Sequence, residues 1–250
     1  MDRSGSPPGF LAMNSLSRTG RLVGADGLQR LQKARVILFG VGGVGSWCAE
    51  ALVRSGLGQL TLVDPDCVDI TNINRQLPAT MATLGQPKVE VLKERFAAIN
   101  PACQVTALQD RYCLGADFGL NGYDVILDAI DSLTDKANLI LEATATGAEF
   151  FSAMGAACKI DPAQVRVAEF FEVRGCPLGA ALRKKLRKNK TLPSKPFLCV
   201  YDSEVLPNLG PELDPGPGKA VANGTLAHIT GIFGFTLAGL AIRHILDKRP

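Results

Sequence analysis

A run of glycines caught between a short apolar stretch and a helical pattern constrains this chain more than any other feature. Val36, Ile37, Leu38 and Phe39 form an uninterrupted apolar run that reads as a buried parallel strand, and Gly40, Gly42, Gly43 and Gly45 follow at once. A helix is expected over 44–55. In such a turn Gly40 lets the chain reverse, Gly42 lets a ligand phosphate approach the backbone, and Gly45 lets the helix pack close to the sheet. The helix start adds free N–H groups and the positive end of a dipole, which favour an anion. A second apolar run, 60–63, leads to Asp64, at the carboxyl end of the next strand, where an acid can accept hydrogen bonds from a ribose hydroxyl.

Further apolar runs at 105–108, 123–130, 150–154 and 165–171 read as strands. Helical patterns fall at 25–33 and 86–99, after Ser132 as an N-cap, and after Pro177. This alternation implies a Rossmann-like, twisted, mainly parallel sheet with helices on both faces. We expect a leader over 1–17, rich in Ser, Pro and Gly, and then one domain over 18–250. Its nucleotide-binding core is 18–135 and its substrate side 136–250. The stretch 191–222 is rich in Pro and Gly, with PELDPGPGK at 211–219 reading as a mobile loop or crossover. The apolar tail 226–242 approaches membrane-spanning length, yet it holds His228 and Thr230 and is followed by Arg243. It reads as a buried helix of the core or of a dimer interface, in preference to a membrane contact.

Polar residues concentrate just beyond the second strand, where Asp64, Asp66, Asp69, Asn72, Asn74, Arg75 and Gln76 lie close together. Such groups beside a nucleotide loop can meet a ligand, although Asn74 and Arg75 can equally tie down the loop itself. Lys88, after Pro87, is either a cation reaching back to phosphate or an ordinary solvated lysine. Asp128 and Asp131 end a central strand. Asp128 reads as a structural carboxylate, and Asp131, near Asp64 and a phosphate chain, as a magnesium ligand. Arg18 and Arg21, taken alone, read as solvated charge.

The net charge of +3 is too small to imply a nucleic-acid partner, so its distribution matters more. In RKKLRKNK at 183–190, six of eight residues are basic: Arg183, Lys184, Lys185, Arg187, Lys188 and Lys190. This block is a candidate phosphate-backbone contact, and no aromatic residue is interleaved with it to stack bases. Seven scattered cysteines without a C-x-x-C pair fit a reducing compartment and offer no structural zinc site of the usual spacing. Met1 to Pro8 is polar and no long apolar segment follows, so no secretory signal is read. Cytoplasmic residence is expected, with organellar targeting left open by the early arginines.

Four blocks in order, GVGGVGSWCAEALVRSG, LVDPDCVDITNINRQ, GQPK and DAIDS, resemble the ubiquitin-activating-type adenylating superfamily. That superfamily includes the bacterial activators of thiamin and molybdopterin sulfur carriers. Within it, TNINRQ, INPACQVT, DAIDS, KIDPAQVRV and the later basic stretch are most similar to the tRNA threonylcarbamoyladenosine dehydratases. The resemblance implies ATP and Mg2+ as cofactors. It places Gly40, Gly42, Gly43 and Gly45 around the nucleotide, Asp64 on the ribose, and Asn72, Arg75 and Lys88 on the phosphates. Asp66 belongs to the same cofactor-binding set, and Asp131 would hold magnesium. Arg75, Lys88 and Asp131 would be the catalytic groups. Arg21, with Arg18 in reserve, would reach the ATP of a neighbouring subunit in a homodimer. The implied reaction is ATP-dependent cyclisation of N6-threonylcarbamoyladenosine in tRNA through an acyl adenylate, with 183–190 holding the tRNA and a sulfur-transfer protein as a possible partner. The alternatives are adenylation of a ubiquitin-like or sulfur-carrier C-terminus, for which Cys176 or Cys199 would be a thiol nucleophile without a supporting motif, a nicotinamide-dependent oxidoreductase, and a non-catalytic tRNA-binding scaffold.

Overall fold

Every apolar run named above becomes a strand of one sheet in the computed structural model, which describes residues 14–212 and 223–247. The strands are β1 (Arg35–Phe39), β2 (Gln59–Val63), β3 (Gln104–Leu108), β4 (Val125–Asp128), β5 (Glu149–Ala153), β6 (Arg166–Glu169) and β7 (Leu198–Tyr201). They lie in the order β3-β2-β1-β4-β5-β7-β6. All neighbours are parallel except β6, which runs antiparallel to β7. From β1 the sheet grows one way through β2 and β3 and the other way through β4 and β5. The reversal opens a crevice at the carboxyl ends of β1 and β4, where Phe39 is paired with Asp128.

Helices cover both faces. On one side α1 (Ser17–Lys33), α2 (Gly45–Arg54), α3 (Lys88–Ile99) and α6 (Ala227–Asp247) bury residues such as Leu31, Leu52, Phe96 and Phe233 against the sheet. On the other, α4 (Leu133–Thr144) and α5 (Pro177–Lys188) bury Ile140, Leu182 and Leu186 against Phe150 and Phe170. Ser132 caps α4, accepting a hydrogen bond from the Asp135 N–H as its sequence position suggested. The apolar tail is a core helix, with Phe233, Leu237 and Ala241 fully buried. Gly234 lets it cross α2 closely, since a Cβ there would stand 2.5 Å from the Val44 carbonyl oxygen.

Asp128 is structural, as expected. Its carboxylate meets the Lys136 ammonium at 2.8 Å, accepts from Ser152 Oγ at 2.7 Å and from the Ile130 N–H at 3.0 Å, and neither charged side chain is exposed. The cost of burying the charges is thus met by pairing and hydrogen bonds together.

Three expectations need correction. The helix expected over 25–33 is the second half of a longer one that begins at Ser17, the last residue of the expected leader, and kinks at Gly24 (φ 74°, ψ 174°). Residues 1–13 lie outside the described residues. Within 191–222 the chain forms a strand, β7, because Leu198–Tyr201 finds pairing partners on both sides, β5 and β6. Most of PELDPGPGK, from residue 213 on, lies outside the described residues. Finally, the apolar stretch 165–171 yields only the four residues of β6, after which Phe170 turns inward.

Candidate active site

The glycine loop leaves β1 at Gly40, whose φ of 84° and close approach to the Ala129 carbonyl at the end of β4 both demand glycine. A Cβ on Gly45 would stand 1.8 Å from the Gly40 carbonyl oxygen, so the loop can close into α2 only without one. Gly42 differs: a Cβ there would make only an ordinary contact with the Gln76 amide at 3.7 Å, so no clash within the chain demands glycine at this position. Gly43 packs under Thr230 of α6. The start of α2 has no side-chain cap, which leaves the positive end of its dipole beside the glycine loop without a side-chain partner.

Asp64 binds the loop itself. Its carboxylate accepts from the Val41 N–H at 2.7 Å and from the Asp66 N–H at 2.9 Å, and it is nearly buried. Burial pushes its carboxyl up, opposed by the positive charge of Lys88 and by those two N–H groups. Lys88, at the start of α3, is not a solvated lysine. Its side chain is 5% exposed and its ammonium lies 3.0 Å from the mostly exposed Asp66 carboxylate. The segment is pinned there by backbone bonds, Lys88 N–H to the Asp66 carbonyl and a bridge between Cys67 and Pro87.

The polar segment after β2 holds itself in place and presents charge at the same time. Asp69 and Asn72 form a reciprocal cap of a short 3-10 turn. Arg75 Nη1 donates to the Thr71 carbonyl and to Asn74 Oδ1, both at 2.9 Å. Asn74 Nδ2 donates to the Thr225 carbonyl at 2.9 Å. Tying down the loop and facing a ligand are therefore compatible for Arg75. Partial burial lowers the proton affinity of its guanidinium, and the nearby charge of Asp131 opposes the shift. Asp131 itself is exposed at the carboxyl edge just after β4. Arg18 and Arg21 are exposed on α1.

One residue escaped the sequence reading. Trp47, apolar by type, donates its Nε1–H to the Arg75 carbonyl at 3.1 Å and so braces the arginine from α2. Gln76 is buried over Gly42 with its Oε1 unpartnered. Of the polar group expected beyond the second strand, Gln76 is thus one that turns inward over the glycine loop.

The basic block is divided by the fold. Arg183 turns inward, donating to the Phe170 carbonyl at 3.1 Å and lying over the Phe170 ring. An aromatic partner absent from the local sequence is thus supplied from the turn after β6. Lys185 donates to Thr134 Oγ1 at 3.2 Å, which holds α5 against the first turn of α4, three residues from Asp131. Lys184, Arg187, Lys188 and Lys190 face solvent. Cys176 and Cys199 are buried, and burial drives the Cys199 thiol well up, so neither is suited to nucleophilic work.

A ThiF family model matches residues 16–250. The chain belongs to the ThiF family. Among its relatives in that family is a tRNA threonylcarbamoyladenosine dehydratase of Haemophilus influenzae, 37% identical over 241 residues and covering 92% of each chain. The crystal structure of the E. coli tRNA N6-threonylcarbamoyladenosine dehydratase in complex with ATP is 34% identical, superimposes with a TM-score of 0.83 and covers 94% of each chain. A molybdopterin-synthase adenylyltransferase of Salmonella typhimurium is 37% identical over 115 residues, only 46% of each chain. In ThiF-family terms, the dehydratase likeness runs through both halves of this chain, and the likeness to that adenylyltransferase spans less than half of it.

Proposed function

We propose that the chain closes the side chain of N6-threonylcarbamoyladenosine in tRNA into its cyclic hydantoin form, using ATP and passing through an acyl adenylate. The observation that carries this reading is the set of charges gathered at the glycine loop: buried Lys88 offsetting Asp64, which bonds the loop, Arg75 beside Gly43 and near the charge of Asp131, and the uncapped start of α2. Such a set suits a polyphosphate, and the likeness to dehydratases over 92–94% of the chain favours a tRNA substrate over a carrier protein.

In this reading Gly40, Gly42, Gly43 and Gly45 cradle the nucleotide and Asp64 adds a ribose hydroxyl to the bonds it already makes. Asn72, Arg75 and Lys88 take the phosphates. The substrate carboxylate oxygen attacks the α-phosphorus, and pyrophosphate leaves with the electron pair of the broken P–O bond. Lys88 and Arg75 offset the charge that develops on it. The urea nitrogen borne by the base then attacks the acyl carbon, loses its proton, and AMP departs. Asp131, exposed beside Arg75, fits a magnesium ion held by one carboxylate and substrate phosphates. Among the described residues no group of three or more His, Cys, Asp and Glu side chains forms an all-protein cage. Magnesium bound at Asp131 would neutralise phosphate charge.

A homodimer completes the reading, with Arg21 or Arg18 of α1 reaching the neighbouring subunit's nucleotide; the largely exposed Leu22 on the same helix supports a partner there. The free thiols suit a reducing compartment such as the cytoplasm.

Incubation of modified tRNA with the protein and Mg-ATP, followed by nucleoside mass spectrometry, tests the reaction. The expected result is an ATP-dependent loss of one water from threonylcarbamoyladenosine, absent with Asp131→Ala; an unchanged nucleoside mass would refute it. The outward residues of α5 carry a separate prediction. Changing Lys184, Arg187, Lys188 and Lys190 together to glutamate weakens tRNA binding by at least about tenfold and flattens its salt dependence. ATP affinity stays as in the wild type. Equal tRNA affinity by filter binding would remove α5 from the interface.

A further inference from the structure

We infer that the cavity between the turn at 158–162 and the chain after β7 is a pocket for an unstacked purine base, namely the base that bears the substrate's carboxylate. The inference rests on the tRNA dehydration reading and extends it to how the base is held.

The cavity measures about 370 Å³, near the lower end of the ~300–1,000 Å³ typical of small-ligand sites. Its walls are largely apolar: Ile160, Leu206, Pro207, Leu209 and Leu226. Three of them leave much of their side chain in water, Leu209 at 93%, Ile160 at 58% and Leu226 at 44% exposure. Exposed apolar groups gathered around one cavity mark a binding site more often than a chance of composition. Apolar walls suit a base taken out of its stack, as chemistry on a nucleobase substituent requires.

The rim is rigid. Glu204 accepts from the Ile160 and Asp161 N–H groups at 2.6 and 3.0 Å, and the Leu206 N–H donates to the Cys158 carbonyl at 2.9 Å. The His228 ring bonds the Ile160 carbonyl at 2.9 Å and so ties the turn to α6. Lys159 is buried, with its ammonium on the Glu204 carbonyl. An ammonium has three donors, so Lys159 can still direct a hydrogen bond to a carbonyl in the cavity.

Position selects the occupant. Thr225 lines the cavity, and its carbonyl accepts from Asn74, the residue before Arg75. The cavity lining and the loop that bears Arg75 are therefore joined at this bond. The substrate carries its carboxylate a few bonds from the purine ring, so a base in this cavity keeps the reacting oxygen beside Arg75. A second copy of the chain could also cover an apolar rim, but it would not call for the Lys159 ammonium in the lining or for the bond that joins Thr225 to the loop bearing Arg75.

Two readouts test the pocket in the full chain. Cys158 lines it and is partly exposed, so its alkylation by iodoacetamide, followed by peptide mass spectrometry, reports occupancy without turnover. Free N6-threonylcarbamoyladenosine is expected to slow alkylation of Cys158 and to leave exposed Cys67 and Cys113 unaffected; ATP alone gives no protection. In steady-state dehydration, Leu209→Glu and Ile160→Glu are expected to raise KM for tRNA by about 10- to 100-fold, with KM for ATP and the sedimentation coefficient unchanged. Absence of protection together with an unchanged KM for tRNA overturns the pocket. So does a rise in KM that appears only with altered sedimentation, which would assign the rim to self-association. If the wild type protects Cys158 yet does not dehydrate tRNA, the pocket stands and the reaction assignment falls.

Discussion

Replacing Lys88 by alanine lowers the rate of ATP-dependent ring closure by about 100- to 1,000-fold while leaving the fold intact. The expectation follows from an asymmetry in the ion pair. The lysine is buried, whereas its ion-pair partner Asp66 is mostly in water, and buried Asp64, whose charge Lys88 also offsets, keeps the hydrogen bonds from the Val41 and Asp66 N–H groups. What it removes is a desolvated cation fixed at the start of α3, near enough to the loop-binding Asp64 to offset its charge, and so placed, in the proposed reading, to offset charge on a leaving pyrophosphate. Single-turnover kinetics with saturating tRNA and Mg-ATP measure the chemical step, and thermal melting checks the fold. A rate within threefold of the wild type would show that Lys88 does not face the reacting phosphates.

The second large effect is on stability. Lys136→Met leaves Asp128 buried without its cation, at a cost of about 3–5 kcal/mol, which for a domain of this size lowers Tm by about 6–20 °C. Ser152 and the Ile130 N–H still donate to the carboxylate, but neither neutralises it. Adding Asp128→Asn to the same chain is expected to restore most of the loss, because the remaining groups are then neutral and hydrogen-bonded. Calorimetry on the single and double variants decides the matter; a loss under about 1 kcal/mol in the single variant would mean that water reaches the pair.

The strands and the nucleotide loop were legible because they rest on local chemistry. A four-residue apolar run ending in glycine has few alternatives, and Gly40 and Gly45 are required by backbone contacts that any such loop must make. The structural role of Asp128 could be read for a similar reason, since a carboxylate at the end of a buried strand must be paired. β7 could not be read, because Leu198–Tyr201 is stabilised by β5 and β6, which lie elsewhere in the sequence. The inward turn of Arg183 depends on Phe170, and the bracing of Arg75 depends on Trp47, an indole on a different helix. Lys88 shows the limit most clearly. Sequence gave its type and its neighbour Pro87, but burial and the link to Asp66 follow from how α3 docks against the chain after β2.

The contact between Thr230 and Gly43 has a consequence for how the protein matures. α6 follows every other described element in chain order, yet it packs on the glycine loop at Gly43 and against the first turn of α2 at Gly234. A chain emerging from the ribosome therefore makes the loop long before the helix that covers it. Until α6 docks, Cys48, Leu52 and the sheet surface beneath stay open to solvent, and the nascent protein carries a recognisable but unfinished nucleotide site. Nucleotide binding is thus expected to begin only when synthesis has passed α6, which keeps partly made chains from engaging the substrate.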